Sequence, residues 1–328
     1  MKEHSIIPTI VIILTLVFVP PAFSQTTDEL KALHAQYMGY LTAHDLEKCK
    51  TMHAPGFQFD LVPLAAPMSE PEWQAYWTAV FNGFPDFSVT DGVKLAAGNI
   101  LVMEHMITGT HKGVWNGIPP SGKNYPSLFP HLDVYEFEGT KIKKVTTYGD
   151  MQGLMITLGV MPAPELPPLK PSFPMPDPVP TGLSFLDTPP ELGNRFNAHM
   201  PVEMSKMFTK GADIFVTALG KPVTTDEFAA VQEIYVTSFA DVKVEVLLLV
   251  HLGDGWVYSD EVYTGTHTSP YFGFPATGRQ FQLRSGDLYR ITTDGLISYA
   301  HYYWDHLGLI TQIGLLPTSA VENGEMYK

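Results

Sequence analysis

Two aspartates stand where a strand-like run gives way to a helix-like one. Asp305 follows His301-Tyr302-Tyr303-Trp304, and Asp150 follows Thr146-Thr147-Tyr148-Gly149. Alternate residues of a strand share a face, so His301 and Tyr303 are expected to point with Asp305, and Thr146 and Tyr148 with Asp150. A carboxyl among aromatic rings in an apolar cavity loses hydration, which disfavours its charged form and lifts its pKa toward neutrality. A base of that strength can take a proton next to a carbonyl. The same place in the chain suits a helix N-cap, whose carboxylate accepts amides of the next turn. Both roles stay open for Asp305 and Asp150. His111 and His267 form a second pair. A neutral imidazole could polarise a carbonyl or shuttle a proton; the alternative is a ring at a strand end bonded to backbone or to a neighbouring hydroxyl such as that of Thr110 or Thr266. Trp304 and His131 complete the candidate lining, with His131 and His105 standing where a downstream counterpart has Asp287 and Glu261.

Other chemistries find no support. There is no His-x-His, H-E-x-x-H or paired-cysteine spacing for a metal, and no G-x-S-x-G elbow for serine chemistry. Gly109-Thr110-His111-Lys112-Gly113 lies in strand-like sequence rather than ahead of a helix, so it is no phosphate loop. Neither metal nor cofactor is expected. The single cysteine, Cys49, forbids an intramolecular disulfide and reads as a structural thiol. With 20 basic against 34 acidic residues, the net charge of -14 argues against nucleic acid and anionic membranes.

The elements that carry these residues occur twice. Thr108-Gly109-Thr110-His111 recurs as Thr264-Gly265-Thr266-His267, and Gly117-Ile118-Pro119-Pro120-Ser121-Gly122-Lys123 as Gly273-Phe274-Pro275-Ala276-Thr277-Gly278-Arg279. Phe84-Pro85-Asp86 answers to Phe239-Ala240-Asp241, and Asp150, Gly153, Leu154 and Gly159 to Asp305, Gly308, Leu309 and Gly314. Several blocks in one order at a near-constant spacing mean duplication. The first copy opens with a helix from Asp28 to about Ala43, with Leu30, Leu33, His34, Tyr37, Met38 and Leu41 on one face. A short helix near Asp45 and a strand from Phe57 to Val62 follow. Ser69 and Glu72 open another helix. Long strands then run over Asp86–Ala96, Ile100–Gly113, Tyr125–Phe137 and Lys141–Tyr148. The second copy repeats the plan from a helix opened at Thr225. The expected fold class is α+β: two tandem domains, each with N-terminal helices on a curved antiparallel sheet.

This order, the G-T-H and G-x-P-x-[ST]-G-[KR] blocks, and a last strand running into D-x-x-G-L resemble the SnoaL-like polyketide cyclase family, with its nuclear-transport-factor-2-like cone fold. The second copy matches the family's C-terminal pattern from Tyr302 to Gly314 almost throughout. The first copy lacks the tryptophan and has Thr157 where the second has Gln312. The resemblance implies intramolecular aldol ring closure without metal or cofactor, with Asp150 and Asp305 in the acid–base role. It also implies domains that pair through their open sheets, so a monomeric pseudo-dimer is expected. Two functions fit: acid–base catalysis on a hydrophobic carbonyl compound, or capture of an apolar small molecule without turnover.

Residues 1–24 read as a signal peptide. Lys2 precedes an apolar run from Ile6 to Val19 that is short for a membrane span, and cleavage is expected between Ser24 and Gln25. A retained anchor is the alternative; cleavage would leave no stable span and a secreted or periplasmic protein. The expected divisions are domain 1 over 25–161, a proline-rich linker over 162–190, domain 2 over 191–318 and a tail over 319–328. Proline density in the linker should exclude helix and favour an extended spacer.

Overall fold

The computed structural model describes residues 25–62, 66–126, 131–149, 151–163 and 168–316. The expected leader, Asp150 and the tail lie outside the described residues.

Thr26 accepts the Glu29 amide through its hydroxyl, and the Glu29 carboxylate accepts the Thr26 amide, which opens α1 (Thr27–Thr42). Its buried stripe is Leu30, His34, Tyr37, Met38 and Leu41. A short α2 (Leu46–Lys50) leads into β1 (His53–Leu61), β2 (Met68–Ser69) and α3 (Glu70–Gly83). Then come β3 (Ser88–Ala97), β4 (Ile100–Thr110), β5 (Asn124–Pro126), β6 (His131–Glu138), β7 (Lys141–Tyr148) and α4 (Met151–Leu158). The sheet runs β2-β1-β7-β6-β4-β3, with β5 beside β4.

The second domain repeats this with α5 (Thr188–Asn197), α6 (Pro201–Ser205), β8 (Phe208–Val216), β9 (Lys221–Val223) and α7 (Thr225–Ser238). It continues through β10 (Lys243–Gly253), β11 (Trp256–Thr266), β12 (Gln280–Ile291), β13 (Ile297–Trp304) and α8 (His306–Gln312), in the sheet order β10-β11-β12-β13-β8-β9. Among the described residues no helix is long and apolar enough to cross a membrane.

Two expectations change. Each sheet is mixed, because β1 lies parallel to β7 and β8 parallel to β13. These strands are distant in sequence, so no hairpin forces them antiparallel. The linker does not exclude helix to its end either. Pro189 and Pro190 occupy the first turn of α5, where an absent N–H costs nothing. Upstream, Thr181 and Gly182 bond to the Asp294-Gly295 hairpin, and Val179 bonds to Lys206, so the linker is laid against the second domain.

The open faces of the two sheets cover each other. Val102, Leu132, Val134 and Tyr148 from one sheet meet Leu252, Tyr258, Leu288 and Tyr303 from the other in a shared buried cluster. A side chain at Gly286 would place its Cβ 2.6 Å from the Tyr148 ring, so only glycine lets that ring lie flat on β12. Polar groups flank the cluster. Glu104 accepts from Tyr299 and Tyr303 hydroxyls and lies 3.0 Å from His301 Nδ1. On the other flank, Arg284 bridges Asp260 and Asp60, and Tyr148 meets Tyr258 hydroxyl to hydroxyl at 2.9 Å.

Candidate functional site

Facing inward from the seam, each sheet turns its other face to the helices and leaves a cavity there. The second-domain cavity, about 50 Å³, is walled by Phe196, Phe228, Tyr235, Phe281, Tyr302 and Trp304 among others. A smaller adjoining lobe of about 20 Å³ shares Tyr263 and Tyr302 and reaches Glu261.

Glu261 and Asp287 sit side by side here on neighbouring strands. Each belongs to the same local pattern, Ser259-x-Glu261-x-Tyr263 on β11 and Ser285-x-Asp287-x-Tyr289 on β12. Alternation puts all six on the helix side, and each carboxyl accepts from its own flanking pair. Ser259 and Tyr263 donate to Glu261 at 2.7 and 3.0 Å; Ser285 and Tyr289 donate to Asp287 at 2.5 and 3.1 Å. Neither carboxyl is far enough from the other to ionise independently, so a proton on one favours the charge on the other. Burial, then the Glu261 charge, pushes Asp287 far above the ordinary carboxylate range; burial raises Glu261 as well. The pair is a dyad of buried carboxyls beside an aromatic pocket.

The first-domain cavity, about 20 Å³, is lined by Tyr37, Trp73, Trp77, His105, Asp133 and Tyr135, among others. His105 Nδ1 lies 3.8 Å from Asp133 Oδ2, which accepts from Tyr135 at 3.2 Å. Burial pushes Asp133 up to about 6 and His131 down to about 4.

The ladders correct the pairing of the copies. Glu261 lies opposite Ser285, and His105 opposite His131; Ser259 lies opposite Asp287, and Met103 opposite Asp133. Asp287 therefore answers to Asp133, and Ser285 to His131. The longer connection between Lys123 and β6 moves the true register away from the spacing of the upstream blocks.

The other expected site residues fall as follows. Tyr303, His301 and Tyr148 do share strand faces, but these face the seam between the sheets rather than a cavity. β7 and β13, which carry them, are largely covered on both faces, so apolar content does not tell the faces apart. Trp304 lines the second-domain cavity. Asp305 caps α8, accepting the Gly308 amide at 2.9 Å, and is absent from the cavity linings. Burial lifts it to about 7, opposed by the amides of Gly308, Met151 and Leu307. His111 and His267 hold the G-x-P loops. His111 Nδ1 meets the Ser121 amide and hydroxyl at 3.2 Å, and His267 Nδ1 meets the Thr277 hydroxyl at 3.1 Å. Beside them Asp86 and Asp241 bind the amide and hydroxyl of Thr110 and Thr266. The recurring F-x-D and G-T-H blocks are thus two halves of one clamp. Cys49 is buried, with its thiol pushed up to about 12. Among the described residues no group of three His, Cys, Asp or Glu side chains could hold a metal.

The profile of the SnoaL-like polyketide cyclase family matches residues 31–158 and 195–313, one match per domain. The chain belongs to that family. Solved structures similar to this tandem SnoaL-like chain include AclR from Streptomyces galilaeus, 18% identical, covering 43% of this chain and 87% of its own, with a TM-score of 0.39. IdmH from Streptomyces antibioticus is 24% identical over 40% of this chain and 99% of its own, with a TM-score of 0.37. TsrD from Streptomyces laurentii is 22% identical over 40% and 95%, with a TM-score of 0.35. No curated protein matches.

Proposed function

We propose that this is an exported, cofactor-independent acid–base catalyst whose working site is the second-domain cavity and whose substrate is a hydrophobic carbonyl compound. The observation that carries this is the Glu261–Asp287 dyad in an aromatic pocket. Glu261, at the wall, takes a proton from the carbon beside the carbonyl; Asp287, behind it, retains the proton of the pair. The Tyr302 hydroxyl approaches Tyr289 without closing a well-formed hydrogen bond, which leaves it to donate to the developing oxyanion. Family membership supports the same class of chemistry, in either a cyclase or an isomerase.

The test is deuterium uptake from D2O at the α-carbon of a ketone such as 2-tetralone, read by mass spectrometry. Uptake should be enzyme-dependent and lost in Glu261→Gln with the fold intact. Uptake that persists in that variant overturns the assignment. Capture without turnover is the second reading, favoured because both carboxyls already accept two hydroxyls; small molecules co-purifying with a catalytically silent chain would establish it.

Export through residues 1–24 predicts a mature N-terminus at Gln25, checked by N-terminal sequencing of the exported protein. The mutually covered sheets support a monomer, checked by light scattering.

A further inference from the structure

A hydrogen-bond chain runs from the first domain, through the contact of α4 with α8, to the second-domain cavity. Tyr235, in the cavity wall, has its hydroxyl 3.0 Å from that of Tyr271. Tyr271 lies 3.0 Å from His306 Nε2, and His306 Nδ1 lies 2.5 Å from Oε1 of Gln152 in the first domain. Gln152, His306 and Tyr271 are all buried.

The chain has one consistent direction. An amide oxygen only accepts, so His306 Nδ1 carries a hydrogen. Burial pushes His306 down to about 4, so its ring is neutral with that single N–H, and Nε2 accepts. Tyr271 then donates to Nε2 and must accept from Tyr235. Tyr235 has no hydrogen left for a ligand. In the first domain Trp115 occupies the turn position of Tyr271, and an indole cannot accept.

We propose that Gln152 is a positioning residue which, from the other domain, makes Tyr235 an acceptor and so selects a ligand bearing a hydroxyl or N–H at that end. The inference rests on the cavity being the ligand site.

Two measurements on the full chain test it. Nitrogen-15 spectra of labelled histidine should show His306 protonated on Nδ1 and bare on Nε2, whatever the cavity binds; the Nε2–H form overturns the direction. Binding of 2-naphthol should exceed that of 2-methoxynaphthalene by about tenfold, the effect of one well-formed hydrogen bond. In Gln152→Glu a carboxylate holds both ring hydrogens on His306, reverses the chain and makes Tyr235 a donor, so the preference should fall below about threefold. Tyr271→Phe, which cuts the chain without a new charge, should lower it too. An unchanged preference in both variants overturns the selective role. If neither probe binds, the ligand-site reading and the selectivity fall together, while the tautomer still reports the direction.

Discussion

In the first domain β6 offers His131 beside Gly149; in the second, β12 offers Ser285 beside Trp304. A Cβ on Gly149 would lie 2.6 Å from the His131 ring, so the bulk sits on one strand of the pair in one copy and on its neighbour in the other. The titratable pair next to it changes as well, from His105–Asp133 to Glu261–Asp287, while the tyrosine donating to the aspartate stays. The frame of a cone therefore tolerates a change of titratable group, His105 to Glu261, beside a kept aspartate, provided volume is traded across the strand pair rather than simply added.

The largest test of this contrast is catalytic. Glu261→Gln should lower α-proton exchange by about 10³-fold, within the range for a general acid–base group, whereas His105→Gln should change it less than about threefold. Comparable losses in both would make the cavities equal partners. Next, Gly149→Trp should cost about 3 kcal/mol by overpacking, and adding His131→Ser should recover at least half of that. Urea unfolding of the two variants measures it, and an absence of rescue would refute the volume trade.

A third test uses pH. Folded Asp133 holds a proton up to about 6 that the unfolded chain releases near 4, so its contribution to stability is present below pH 4 and fades as pH rises through 6. His131, pushed down to about 4, has the opposite sign: the unfolded ring binds a proton below about 6.5, so its contribution grows with pH over the same window. Each is worth about 3 kcal/mol. From pH 4 to 6.5, Asp133→Asn should gain stability relative to the parent and His131→Asn should lose it; parallel melting curves would contradict this. The smallest effect concerns Asp305. Asp305→Ala should cost about 1 kcal/mol through the lost cap, and Asp305→Asn should leave exchange within about threefold. A catalytic collapse in Asp305→Asn would return the site to the end of β13.

The duplication, the helix starts and most of the strands are legible in the residues themselves, because capping pairs and repeated glycine-rich turns are local signals. The chemistry is less so. His301, Tyr303 and Asp305 look like a catalytic row because alternation says which residues share a face, not which face meets a cavity. Packing of the second sheet decides that, and it has no local signature. The opening of the second domain, α5 through β9, is hidden by the prolines that start α5. One signal was there to be read. Ser259-x-Glu261-x-Tyr263 and Ser285-x-Asp287-x-Tyr289 put a carboxyl between two hydroxyls on one face of a strand interior. Such groups are rarely buried without partners, and the flanking residues are those partners.

The seam between the sheets bears on how these cavities could diverge. In a symmetric dimer of identical chains every substitution is made twice, at both sites and on both sides of the contact. Here Glu104 is gripped by Tyr299, His301 and Tyr303, while the flank with Arg284, Asp260 and Asp60 uses other groups. Covalent linkage frees the two halves from that copying rule. One half can keep its pocket unchanged while the other becomes its support, with no interval in which both pockets must carry the change.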